Sequence, residues 1–113
     1  MFNFFKKNKS TENIQRENNK QIIDALTQAG SKTDKEHLIE LAFFGDWKKM
    51  NLLKDKLISD GYEQVLGQTD QMLVVSKWLK LDLNEINNLT DKTEMLAKQF
   101  GVGFDGWSTY PVK

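Results

Sequence analysis

His37-Leu38-Ile39-Glu40-Leu41-Ala42-Phe43-Phe44 is the stretch on which the architecture turns. Ile39, Leu41 and Phe43 alternate with Leu38, Glu40, Ala42 and Phe44, the period of two that a pleated strand imposes on its side chains. Both rows are mostly apolar, which suits a strand in the interior of a sheet better than one at its edge. Gly45-Asp46 then breaks the run, and Asp46 is a good N-cap for a following helix. Trp47, Met50, Leu53, Leu57 and Ile58 give that helix an expected buried stripe, with Lys48, Lys49, Lys54, Asp55 and Lys56 toward water. Tyr62 to Leu66 and Met72 to Leu81 are two further strand runs, and the turn residues Gly67-Gln68-Thr69-Asp70 between them make a hairpin.

Asp82 or Asn84 opens the next helix. Its stripe, Ile86, Leu89, Thr93, Leu96 and Phe100, is the clearest helical period in the chain, and Gly101 stops it. Val102 to Pro111 is the last strand, with Pro111 near the end, where a missing N–H matters least. From His37 onward the order is β-α-β-β-α-β. That order predicts an α+β, ferredoxin-like sandwich, with two helices packed on one face of an antiparallel sheet. Upstream, Ile22, Ile23, Leu26 and Ala29 predict an extra N-terminal helix over residues 11–29, capped by Ser10 or Thr11 and ended at Gly30. Residues 1–10 are expected to be a disordered segment and residues 11–113 a single domain, an ordinary length for one hydrophobic core.

The charges balance at 16 basic and 16 acidic residues. Residues 1–35 hold seven basic and four acidic side chains, and neither part of the chain has the strongly basic footprint of a nucleic-acid binder. Phe2, Phe4 and Phe5 are too short an apolar run for a secretion signal, and no later run is long enough to span a bilayer. The expectation is a cytoplasmic protein with no membrane partner.

Chemistry is sparse. There is no cysteine, hence no disulfide and no thiolate nucleophile. His37 is the one histidine, and it reads as a satisfied strand residue rather than a ligand or base. Without cysteine a metal site would need clustered carboxylates at ligand spacing, and none is present. Gly101-Val102-Gly103-Phe104-Asp105-Gly106 has the glycine spacing of a dinucleotide fingerprint, but a helix leads into it and a strand follows, the reverse of what that site requires. No catalytic residue, metal or cofactor is expected, and the chain does not read as an enzyme.

The aromatic residues are the candidates for binding. Trp47 opens a helix and is expected in the core. Trp78 shares a strand face with Met72, Val74 and Ser76, a face that a one-sided sandwich leaves uncovered. Trp107 follows Asp105-Gly106, where glycine permits a bulge and Asp105 can hydrogen-bond nearby backbone N–H groups. Trp107 then reads either as an anchoring indole or, with Tyr110, as part of a binding patch. Trp78, Asp105, Trp107 and Tyr110 are therefore the partner-binding candidates. An RNA-binding sheet would need basic and aromatic residues interleaved with glycine, whereas Gln71-Met72-Leu73-Val74-Val75-Ser76-Lys77-Trp78 has one aromatic and no glycine.

Gly103-Phe104-Asp105-Gly106-Trp107-Ser108-Thr109-Tyr110 resembles the aromatic-Asp-Gly-Trp-Gly-Thr-Tyr signature of the regulator of ribonuclease E activity B (RraB) family, with Ser108 in place of a glycine. Asp60-Gly61-Tyr62-Glu63 is similar to that family's Gly-Tyr-Glu-Val strand start, and Leu96-Ala97-Lys98-Gln99-Phe100 to its Leu-Ala-x-x-Phe helix end. Ile22-Ile23-Asp24-Ala25-Leu26 through Gly30-Ser31 is similar to the end of its first helix. The resemblance spans residues 14–110. It implies a bacterial cytoplasmic protein that binds ribonuclease E and restrains it, altering RNA decay by protein–protein contact without chemistry of its own. The alternatives are a ferredoxin-like adaptor or immunity protein with another partner, and a nucleic-acid-binding module.

Overall fold

The computed structural model describes residues 7–65 and 72–112, with the side chains of the first helix from Ile14 onward. Its elements are α1 (Lys7–Gln28), β1 (Glu36–Phe44), α2 (Trp47–Ser59), β2 (Glu63–Gln64), β3 (Met72–Lys80), α3 (Leu83–Phe100) and β4 (Gly103–Ser108). The strands form one sheet in the order β2-β3-β1-β4, and each neighbouring pair is antiparallel. This is the split βαβ arrangement, with β1 in the interior, as its two apolar rows predicted. Of the segment 1–10, residues 7–10 enter α1, upstream of the expected cap at Ser10 or Thr11. Residues 1–6 and the Gly67-Gln68-Thr69-Asp70 turn lie outside the described residues.

Alternation along β1 sorts the sheet into two faces. His37, Ile39, Leu41 and Phe43 are buried beneath the helices. Register then sets Leu73 opposite Phe43, and both Val75 and Trp107 opposite Leu41. Phe104 packs its ring 5.4 Å from that of Phe43. Met50, Leu53 and Leu57 from α2, with Ile86 and Ala97 from α3, close this core. Asp46 and Asp82 cap the two helices, their carboxylates accepting the N–H groups of Lys49 and Glu85.

Two expectations for α2 fail together. Trp47 is 38% exposed and Ile58 is also exposed, so neither belongs to the buried stripe. At about 100° per residue, both fall on one flank of the helix, roughly a quarter turn from the centre of the Met50, Leu53 and Leu57 stripe. In α3 the buried line runs through Ile86, Thr90, Thr93 and Ala97. Leu89, Leu96 and Phe100 are only partly buried, because α1 packs along α3 and draws the Thr90 side inward.

The last strand is shaped by two glycines. Ala42 pairs with Gly106 and Phe43 with Phe104, which leaves Asp105 as the extra residue of a bulge. Gly106 has φ of 125°, a conformation that side chains disfavour, so glycine itself makes the bend. Among the described residues Asp105 is exposed and its carboxylate holds no hydrogen bond, contrary to the expected role in fixing the turn. Gly103 serves a different purpose. The Phe44 ring lies across it so closely that a Cβ there would meet Cζ at 2.3 Å. Gly103→Ala is expected to push Phe44 off the strand and destabilise the protein by about 1 kcal/mol, with the half-exposed ring swinging clear. Urea denaturation would register the change, and a loss above roughly 3 kcal/mol would mean the ring cannot move.

Candidate functional site

Four polar or aromatic constellations stand out. The first is a hub around Asn19, which is fully buried. Its Nδ2 donates to Asn87 Oδ1 at 2.9 Å and to Thr90 Oγ1 at 3.0 Å. Its Oδ1 accepts from Trp107 Nε1 at 2.7 Å and from Gln15 Nε2 at 3.1 Å. An asparagine side chain offers two donors and one carbonyl oxygen, so its capacity is met. The Arg16–Asp91 ion pair, 2.6 Å, runs beside it at the surface. Trp107 is 8% exposed, and its indole pins α1 to the sheet rather than meeting solvent.

A second constellation ties the C-terminal segment to β1. His37 is fully buried. Its Nδ1 faces the Lys35 carbonyl at 2.8 Å, an acceptor only, so Nδ1 carries the proton and donates. Its Nε2 is hydrogen-bonded to the Ser31 hydroxyl at 2.7 Å. Ser31 Oγ in turn accepts the Val112 N–H at 2.9 Å, and Lys32 N–H donates to the Val112 carbonyl. Both imidazole nitrogens are used, which is the satisfied state read for His37. The work this pair does is to latch the chain end.

Between α2 and α3 lies a groove of about 450 Å³, lined by Leu57, Tyr62, Lys77, Leu79, Leu89 and Leu96 among others. Lys77 Nζ sits 5.0 Å from the centroid of the Tyr62 ring and donates to the Asp60 carbonyl at 3.3 Å. Burial, and then the nearby Asp60 carboxylate, raise the pKa of the Tyr62 hydroxyl above its ordinary value of 10.0. Among the described residues no cluster of three or more His, Asp or Glu side chains has the geometry to hold a metal ion. No described helix is long and apolar enough to cross a membrane.

The fourth constellation is the sheet face away from the helices. Register places Leu38 opposite Trp78, Glu40 opposite Ser76 and Ser108, Ala42 opposite Val74 and Gly106, and Phe44 opposite Met72 and Gly103. Trp78 is 58% exposed and Tyr110 is 59% exposed. Tyr110 follows β4 past Ser108, and its hydroxyl donates to Glu40 Oε1 at 3.4 Å. Thr109 holds that turn by donating to the Leu38 carbonyl at 2.8 Å.

Of the four sequence candidates, Trp78 and Tyr110 thus fall on one face around Leu38 and Glu40. Asp105 sits on the edge strand nearer its other end, and Trp107 points into the core. Two residues were not singled out from sequence. Glu40 is the charged member of an otherwise apolar row in 37–44, a visible anomaly. Asn19 falls four residues before Ile23 and seven before Leu26, in line with the apolar stripe of α1, where a polar residue needs a buried partner.

The model of the family described as regulator of ribonuclease activity B matches residues 16–109, from the hub on α1 to the turn after β4. The regulator of ribonuclease activity B of Pseudoalteromonas atlantica is 31% identical over 107 residues, covering 81% of this chain and 86% of the relative. The chain belongs to the regulator of ribonuclease activity B family.

Proposed function

We propose that this protein is a non-catalytic regulator in the bacterial cytoplasm that binds ribonuclease E and restrains its cleavage of RNA. The observation that carries the reading is the family match over residues 16–109, from within α1 to just past β4. Two large exposed aromatic residues, Trp78 and Tyr110, on the uncovered sheet support action by protein–protein contact. Regulation then consists of occupying a surface of the ribonuclease, and this chain needs no cofactor or reacting group.

The test is a cleavage assay with purified ribonuclease E and a defined RNA. Cleavage is expected to slow saturably as this protein is added, and a complex should appear in light scattering. Unchanged cleavage with no complex would remove ribonuclease E as the target and leave the family assignment standing.

A further inference from the structure

The sheet face that no described helix covers carries an acidic row between two apolar ones. Glu40 lies on an interior strand, with Ser76 beside it on β3 and Glu63 beyond that on β2. With strands about 4.7–4.9 Å apart, the two carboxylates stand roughly 10 Å from each other in one row. Leu38 and Trp78 form the row on one side, Ala42 and Val74 the row on the other. Among the described residues neither Glu40 nor Glu63 has a salt-bridge partner. The strand cation that register puts on this face, Lys80, stands opposite Glu36 at the far end of β3.

Glu40 is also bracketed by aromatic rings. Tyr110 reaches one carboxylate oxygen. Trp78 is its diagonal cross-strand neighbour, about 7–8 Å away, within reach of a long side chain laid between them. A carboxylate beside an exposed indole suits one cation above others. A guanidinium can direct its N–H fork at the carboxylate while its flat face stacks on the ring, whereas an ammonium offers only a point charge. The flanking Leu38, Ala42 and Val74 rows would receive apolar neighbours of that arginine. Nucleic acid is disfavoured on the same surface, since its phosphates would lie against Glu40 and Glu63. The chain as a whole is neutral, so any attraction for a basic segment is local to this row.

We propose that this face is the docking site for an arginine-bearing segment of the target protein, with the guanidinium paired to Glu40 and stacked on Trp78. The proposal rests on the protein-binding reading above and adds the face and the chemistry of the partner.

Two measurements separate this proposal from that reading. In the first, the full chain is titrated by NMR with the peptide acetyl-Leu-Arg-Leu-Arg-Leu-amide and with its citrulline counterpart, which keeps the shape and loses the charge. Shifts are expected at Leu38, Glu40, Ser76 and the Trp78 indole, with the citrulline peptide about tenfold weaker, and Glu40→Gln should erase that preference. Shifts confined to the helices, equal affinity for both peptides, or an oligouridine RNA shifting the same residues would each overturn the proposal.

In the second, ribonuclease E is titrated with the wild type, Glu40→Gln and Trp78→Ala, with Met95→Ala on the exposed side of α3 as control. Affinity should fall about tenfold for Glu40→Gln and roughly thirtyfold for Trp78→Ala, and the control should bind as wild type. Wild-type binding by both sheet variants sinks the surface and spares the regulator. Peptide binding on this face with no binding of ribonuclease E does the reverse.

Discussion

Trp107→Ala should lower the stability of this protein by about 3–5 kcal/mol, the range for emptying the site of a large buried aromatic residue. The indole fills space opposite Leu41 in the core and is 8% exposed. It also supplies the N–H that Asn19 Oδ1 accepts at 2.7 Å. For a chain near 100 residues, each kcal/mol moves the midpoint of thermal unfolding by roughly 4–8 °C, so a fall of at least about 12 °C is expected. Trp107→Phe keeps most of the ring volume and removes the donor, and should cost about 1–2 kcal/mol by comparison. Thermal and urea melts of the two variants give both numbers. A Trp107→Ala protein melting within a few degrees of wild type would show that the indole is not the anchor described above.

The second large effect is expected at the other end of the same hydrogen bond. Asn19→Leu keeps a similar volume but removes both polar atoms of the central amide, leaving Trp107 Nε1 and Asn87 Oδ1 without the bonds they make now. Buried groups left unpaired each cost about 1–3 kcal/mol, and Thr90 is partly spared because its hydroxyl also donates to the Asn87 carbonyl at 3.1 Å. The total is expected to be about 2–4 kcal/mol. Combining Asn19→Leu with Trp107→Phe should then cost less than the sum of the two by about 1 kcal/mol, because neither variant leaves the other's atom stranded. Strict additivity would mean that the two side chains stabilise the fold independently.

The strand and helix order was legible because it depends on local periodicity. The run from His37 to Phe44 announced an interior strand through two apolar rows, and β1 does lie between β3 and β4. The same alternation puts Trp78 on the face that a one-sided sandwich leaves open, and the indole is exposed there. Trp47 was misplaced because spacing alone does not fix the centre of a helical stripe, only its period. Its position one turn before Met50 fits a core face until the packing of Met50, Leu53 and Leu57 sets where that face points.

The site was legible in pieces. Strand alternation singles out Trp78, and the segment after Trp107 singles out Tyr110, but their meeting around Glu40 depends on register between β1, β3 and β4, which no single strand contains. Trp107 shows the opposite case. Its motif identified the family correctly, yet the direction of the side chain depends on the Gly106 bend and on Asn19, 88 residues away. Motif and contact surface are therefore different things in this chain.

That separation along the chain has a consequence for how the protein is made. Asn19 is synthesised early, Asn87 and Thr90 follow with α3, and the indole that completes its hydrogen bonds arrives only with β4. Val112 reaches back to Ser31 in the same way, across 81 residues. The first helix can therefore dock on α3 before β4 exists, but its bond to Trp107 and the latch of Val112 onto Ser31 must wait for β4 and the residues after it. Contacts this distant in sequence slow folding, because the loop must be closed before the bonds reward it. A chain cut short before Trp107 would lack the indole that pins α1 to the sheet, and is expected to be cleared by proteases that the full fold resists.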